Sequence, residues 1–214
     1  RKSAHSKAFE EVSKRFGKLI GVDHWLINPM FDKCADVDFS STEGVQGLIA
    51  KTEGLLAKIR KKHKEYGIKE KPFVVLKPDN GDPRMNILTV RDAKDLETLR
   101  TQALCSGVGA PAKDSSAVFE VLIQEGVLTW ERVNDAVAEP VVYMMDRYVV
   151  GGFYRVHPKR NVDESLNAPG SSFVPLAFAE STHLPQPGVK PGASAPNRFY
   201  MYGVIGRLAM LAAS

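Results

Sequence analysis

Two cysteines, Cys34 and Cys105, are all the thiols in this 214-residue chain, and neither sits in a C-x-x-C or Cys/His pairing. That excludes a disulfide framework and a thiolate zinc site and suits a reducing compartment, so a cytoplasmic location is expected. Long apolar runs are also missing. The longest, Tyr148 to Tyr154, includes two glycines, far short of the roughly 20 residues a membrane helix needs, so no membrane partner is expected. The histidines at 5, 24, 63, 157 and 183 lack metal-ligand spacing such as H-E-x-x-H, and no G-x-S-x-G occurs. Zinc-hydrolase and serine-hydrolase readings therefore have no support. The net charge is only +4, and residues 1–70 carry the whole excess, with 14 basic and 10 acidic residues. The densest run, Arg60-Lys61-Lys62-His63-Lys64, holds no aromatic to stack on a base, so no nucleic-acid partner is expected.

What remains is an ordinary globular composition, 43% hydrophobic and 25% charged, long enough to bury about 70% of its unfolded surface. Val45, Leu48, Ile49, Thr52, Leu55, Leu56 and Ile59 recur at spacings of three and four and predict one buried face of a long helix. Ser40 with Glu43 reads as its capping box, Lys58 to Lys64 suit the negative end of its dipole, and Gly67 reads as its stop. Residues 8–20 predict a shorter amphipathic helix, and Trp25 to Phe39 reads as irregular. From Lys71 the pattern becomes β-rich, with strands expected at Phe73–Leu76, Ile87–Val90, Val118–Gln124, Val141–Met145 and Tyr148–Val156. Asp146-Arg147 is spaced like a tight hairpin turn. Asp92 to Leu104, with Leu96, Leu99 and Ala103 on one side, predicts a crossing helix, and Leu184 to Asn197 a loop. Phe199 to Ala213 predicts a last helix capped by Asn197. The expected organisation is a helical segment over 1–70 and an α+β region with a largely antiparallel sheet over 71–214.

Chemistry gathers at four places. Lys77 ends an apolar strand and is followed by Pro78-Asp79-Asn80-Gly81, where an ammonium and turn amides could hold a phosphate. Gln124-Glu125-Gly126-Val127 closes another strand, a junction whose backbone could bind a flat heterocycle while the carboxylate takes a ribose hydroxyl. Glu139 and Arg155 sit toward the ends of a hairpin, with Phe153 and Arg155 on one face. The segment Asp163 to Gly170, with Glu164 and Asn167, is rich in the hard oxygen donors that Mg²⁺ prefers.

Taken in this order, the elements resemble the ATP-grasp arrangement. More narrowly, NDAVAEPVVYMM (134–145), VVGGFYRVH (149–157), LNAPG (166–170), FVPLAF (173–178) and NRFY (197–200) resemble the proteobacterial glutamate–cysteine ligases of ATP-grasp type. The resemblance implies ATP and Mg²⁺ as cofactors, L-glutamate and L-cysteine as substrates, and γ-glutamylcysteine formed through an acyl phosphate in the first step of glutathione synthesis. It implies that Lys77 binds the α/β phosphates, that Gln124, Glu125 and Val127 hold adenine and ribose, and that Arg155 takes the γ-phosphoryl or acyl-phosphate oxygens. Glu139, Glu164 and Asn167 become metal or substrate ligands. Where the family reads roughly Lys-Ala-Asp-Ala-Gly-Thr-Tyr-Gly-Met-Gly-Ile, this chain reads Lys-Pro-Asp-Asn-Gly-Asp-Pro-Arg-Met-Asn-Ile (77–87). Gly81 is kept, whereas two family glycines are replaced by Arg84, which can serve as a side-chain phosphate ligand, and Asn86. Family members are longer at the N-terminus, which leaves a missing N-terminal segment or a homo-oligomer as ways to complete the site. The alternative reading is a catalytically impaired ATP-grasp remnant serving as a weak nucleotide-binding or interaction domain.

Overall fold

The computed structural model describes residues 1–82, 85–96, 118–176, 178 and 197–214. They form two compact units, one of Arg1–Lys7 with Asn28–Val127, the other of Ala8–Ile27 with Leu128–Ser214. Helix α1 (Lys2–Ile20) begins in the first unit and continues in the second. The architecture is mixed α/β with antiparallel sheets, compatible with an ATP-grasp-like fold.

In the first unit, β1 (Phe31–Asp38), β2 (Val74–Pro78), β3 (Leu88–Val90) and β4 (Val118–Glu125) form a sheet in the order β1-β4-β2-β3, every neighbouring pair antiparallel. Side chains alternate across it. Val74, Leu76, Val90, Phe119, Val121 and Ile123 join Val45, Leu48, Leu55, Leu56 and Ile59 of α2 (Glu43–Glu65) in one core. The helix face expected from the spacing is thus the buried one. Its C-terminus closes as expected: Gly67 adopts φ +68°, its amide donates to Lys64 O, and Ile68 N–H donates to His63 O at 2.8 Å.

Two local expectations are corrected. The expected capping box does not form, because the Ser40 amide turns back to Asp38 Oδ1 at 2.8 Å. Ser41 Oγ instead accepts the Gly44 amide at 3.0 Å, and Thr42, at the N-cap, makes no side-chain cap bond. The stretch read as irregular contains β1, which is also a strand within the expected helical segment 1–70. Its apolar alternation is hidden by Asp32, Asp36 and Asp38 and by a bulge between Cys34 and Val37, with Asp36 at φ +56°. Of the expected crossing helix, the described residues show a 3-10 turn at Ala93–Asp95 followed by buried Leu96. Leu99, Ala103 and most of the expected loop 184–197 lie outside the described residues.

In the second unit, β5 (Arg132–Val133), β6 (Ala136–Met145), β7 (Tyr148–His157) and β8 (Ser172–Pro175) pair in sequence order, all antiparallel. Asp146-Arg147 is the two-residue turn expected, with Met145 opposite Tyr148 and Asp146 at φ +52°. Asn134 and Asp135, both at positive φ, make a second such turn, of the kind that suits strand twist. Helix α3 (Arg198–Ala213) starts at Asn197, whose side chain accepts the Tyr200 amide at 3.1 Å as expected. It packs Phe199 and Tyr202 onto Ala138, Tyr154, Val156 and Leu176. Tyr202 donates its hydroxyl to Glu131 and meets Tyr154 Oη at 3.3 Å. Burial, then Glu131, pushes the Tyr202 phenol well above its ordinary value, so it stays a donor.

The beginning of α1 is anchored within the first unit by Asp79, whose carboxylate is fully buried. It accepts the Ser3 amide at 2.6 Å and the Ser3 hydroxyl at 2.7 Å, and its own carbonyl accepts the Lys2 amide at 3.0 Å. An aspartate remote in sequence therefore acts as the helix cap, satisfying amides that no helical carbonyl can reach and opposing the positive end of the dipole. Burial pushes its carboxyl up, but the Ser3 amide, the Ser3 hydroxyl and Lys33 outweigh that and hold it below the usual carboxylate range. Because the native value is depressed, the stabilisation is complete above the ordinary carboxylate value and is lost as pH falls through the native one. Asp79→Asn should lower unfolding stability at pH 7 by about 2 kcal/mol, the cost of weakened bonds to a charged acceptor. Urea titrations of both proteins should show that gap narrowing as pH falls below about 4.

Candidate functional site

The expected site residues fall into two groups, one in each unit. In the first unit, Lys77 on β2 and Gln124 on β4 share the sheet face away from α2, because Lys77 pairs with Leu122 and Val75 with Gln124. Lys77 Nζ donates to Gln124 Oε1 at 2.8 Å. An ammonium can only donate, so the contact fixes the amide orientation and leaves the NH₂ as the donor end of Gln124.

The turn after Lys77 is closed by the Gly81 amide on Pro78 O at 3.3 Å. Gly81 sits at φ +76°, a conformation that glycine adopts without strain. Asp82 N–H donates to Asn80 Oδ1 at 3.0 Å. Arg84 lies outside the described residues.

Glu125 points to the opposite face of β4 from Gln124 and is buried. Its carboxylate accepts the Met30 amide at 2.7 Å while its own amide donates to Met30 O at 2.7 Å. This carboxylate ties down the chain entering β1, a role the sequence pattern did not suggest. Gly126 donates its amide to Phe73 O at 2.8 Å, and a Cβ built there would lie 2.0 Å from the Phe73 ring. The glycine is a packing requirement, set by an aromatic 53 residues earlier in the chain. The amides of Glu125 and Gly126 are spent, and Val127, which follows them, is exposed.

In the second unit, the sheet face away from α3 carries Tyr143, Phe153, Arg155, His157 and Phe173. Glu139 lies directly opposite Arg155, and Arg155 Nη1 donates to Glu139 Oε1 at 2.5 Å. Arg155 Nε is buried and has no hydrogen-bond partner among the described residues. Aromatic rings flank it along the face: Phe153 lies 5.2 Å from Phe173 and 5.9 Å from Tyr143. His157 accepts the Lys159 amide on Nδ1 at 3.2 Å, so Nε2 carries the proton and donates to Pro169 O at 3.1 Å.

Glu164 accepts the Asn161 amide at 2.7 Å and Arg160 Nη1 at 3.0 Å. The Asn161 amide first, then Arg160, holds its carboxyl below the usual range. Asn167 lies exposed in the same loop, its amide on Ser165 Oγ at 3.3 Å. Among the described residues no three His, Cys, Asp or Glu side chains gather closely enough to hold a metal ion. Glu139 and Glu164 are each engaged by an arginine instead. A cleft of about 320 Å³ in this unit, bounded in part by Arg132, Asp135, Arg160 and Asn161, contains none of the expected site residues. Among the described residues, no helix is long and apolar enough to cross a membrane.

Sequence reasoning singled out Lys77 and Gln124 and gave no role to three charged residues on the same sheet face, Lys33, Asp79 and Glu120. Lys33 Nζ bridges Asp79, at 3.4 Å, and Glu120. Only the register of β1 on β4, which places Lys33 opposite Leu122, brings these side chains together.

A family model described as "GshA: Glutamate-cysteine ligase" matches residues 1–214. Among solved structures, a protein of Methylobacillus flagellatus KT called "Putative gamma-glutamylcysteine synthetase" is similar, with 47% sequence identity and a TM-score of 0.81. The match covers all of this chain and 50% of that one, so the chain spans half the length of this relative. No curated protein matches.

The close approach at Gly126 gives a direct test of the junction. Gly126→Ala forces the Phe73 ring to move and should cost about 1–3 kcal/mol in a urea titration, as overpacking does. Gly54→Ala, at a helical glycine with open space around it, should be neutral or stabilising.

Proposed function

Because this chain belongs to the glutamate–cysteine ligase family, we propose that it supplies the nucleotide-binding and phosphoryl-handling part of an ATP-dependent ligase that joins the γ-carboxylate of L-glutamate to the amine of L-cysteine. The observation that carries this reading is the Lys77–Gln124 pair at 2.8 Å on the sheet face beside the Gly81 turn. There a cation and an amide donor converge next to turn backbone, a donor set that suits phosphate oxygens.

The chemistry explains why such a set is needed. A carboxylate is a poor electrophile, so ATP first transfers its γ-phosphoryl group to the glutamate oxygen and ADP leaves. The cysteine amine then attacks the carbonyl carbon, the C–N bond forms, the C–O bond to phosphate breaks, phosphate departs with the bonding pair, and the amine gives up a proton. Charge on the transferring oxygens has to be neutralised and water kept away.

In this reading Lys77 holds the phosphates and the backbone at Val127 receives the adenine. Within the second unit, Arg155, oriented by Glu139, is the group proposed to meet an acyl-phosphate oxygen. ATP fits the first-unit groups, Lys77 and the Val127 backbone. A divalent cation finds no assembled donor set among the described residues: Glu139 and Glu164 would serve only after their arginine pairs opened, and Asn167 is exposed in its loop. No step is therefore routed through a metal ion.

Isothermal titration of Mg·ATP into this chain should show micromolar binding that Lys77→Ala abolishes. Arg155→Met should retain that binding yet lower glutamate- and cysteine-dependent ADP release by at least about 100-fold, the size of losing one charge-stabilising donor. Mg·ATP uptake indifferent to Lys77→Ala would refute the assignment.

A further inference from the structure

We propose that Lys33 is a positioning residue for the phosphate end of the Lys77 site, acting through Asp79 and Glu120. The inference rests on the nucleotide reading above. Lys33 on β1 and Lys77 on β2 both pair with Leu122 of β4, so they stand in one row across the sheet and on one face. Two strand spacings separate them by roughly 10 Å.

Two carboxylates share that face. Asp79 follows Lys77 by two residues, and Glu120 lies two residues before Leu122. Left alone, they would repel any anion approaching Lys77. Lys33 Nζ sits between them, 3.4 Å from Asp79 Oδ2 and in direct contact with Glu120 Oε2. Arg1 Nη1 reaches Glu120 at 3.3 Å, and Ser3 donates twice to Asp79.

Lys33 and Arg1 balance Asp79 and Glu120 one for one, and the Lys2 ammonium, which donates to Pro78 O at 2.8 Å, adds a positive charge beside the same turn. Lys33 directs its ammonium to these two carboxylates. It cancels the negative field beside Lys77 and holds Asp79 in the turn that carries Gly81. Its contacts with Glu120 first, and then Asp79, raise its own affinity for a proton, which keeps it charged.

The test is Mg·ATP affinity in the whole chain, by titration calorimetry at low salt, with adenosine as the uncharged probe. Lys33→Met should weaken Mg·ATP binding about tenfold, the effect of one uncompensated charge roughly 10 Å away at an effective dielectric near 20, and leave adenosine binding unchanged. Lys33→Met/Glu120→Gln restores the local charge balance and should return Mg·ATP affinity to within twofold of the parent, while Lys33→Arg should keep it throughout. A merely structural lysine would not be rescued by deleting a carboxylate. The proposal is overturned if Lys33→Met leaves Mg·ATP affinity unchanged, if adenosine affinity falls equally, or if the double variant binds no better than the single. Failure of the nucleotide reading has a separate signature: the parent chain takes up no Mg·ATP, or Lys77→Ala binds it normally, and either result removes both.

Discussion

A carboxylate with no solvent exposure needs partners, and Asp79 is held, through its carboxylate and its amide, by three separate parts of the chain. Ser3 brings the start of α1, the Glu120 carbonyl accepts the Asp79 amide at 2.8 Å, and Lys33 comes from β1. Burying a charge in this way is costly unless every lone pair is met, and once it is met the surrounding backbone has little freedom. The turn that follows Lys77 is therefore held by Ser3, by β4 and by Lys33. For the proposed ligand this is an edge whose ordering cost is met during folding.

Strand β4 transmits that rigidity along the sheet. One face of it, Phe119, Val121 and Ile123, is closed by α2, and the other carries Glu120, Leu122 and Gln124. The alternation sorts the strand into a packing face and a chemical face at no further expense. It also explains why neighbouring Gln124 and Glu125 have unrelated roles: one meets Lys77, and the other anchors Met30 from the core side. In the second unit the same division holds, with Tyr154 and Val156 under α3 and Phe153 and Arg155 on the opposite face.

How much of this was legible in the sequence follows from range. The α2 face, the Gly67 stop, the Asn197 cap and the Asp146-Arg147 turn depend on residues within four positions of one another, and each was readable. Strand β1 was not, because its polar residues belong to a sheet face whose partners lie about 90 residues further on in β4. The residue pattern singled out Lys77, Gln124 and Arg155, and the resemblance gave them their expected roles. It was silent on Lys33, and Asp79 looked like a turn former because a helix cap donated from a strand end leaves no local pattern. Glu125 looked like a ribose ligand for the complementary reason: its sequence context is a junction, while its bond to Met30 is visible only in three dimensions.

The charge arrangement separates two demands that the sequence presents together. A fold built around a buried aspartate needs cations close by, and a site for a phosphorylated ligand needs cations available to that ligand. If one lysine met both demands, occupancy of the site would strip Asp79 of its partner, and binding would be opposed by the stability of the fold. Here the tasks fall to different residues in one row. Lys33 is committed to Asp79 and Glu120, whereas Lys77 donates to a neutral amide, Gln124. Changing Gln124 to a glutamate would erase that distinction, since a second committed lysine would face the ligand as a neutral pair. In the proposed site the neutrality of Gln124 thus counts as much as the charge of Lys77.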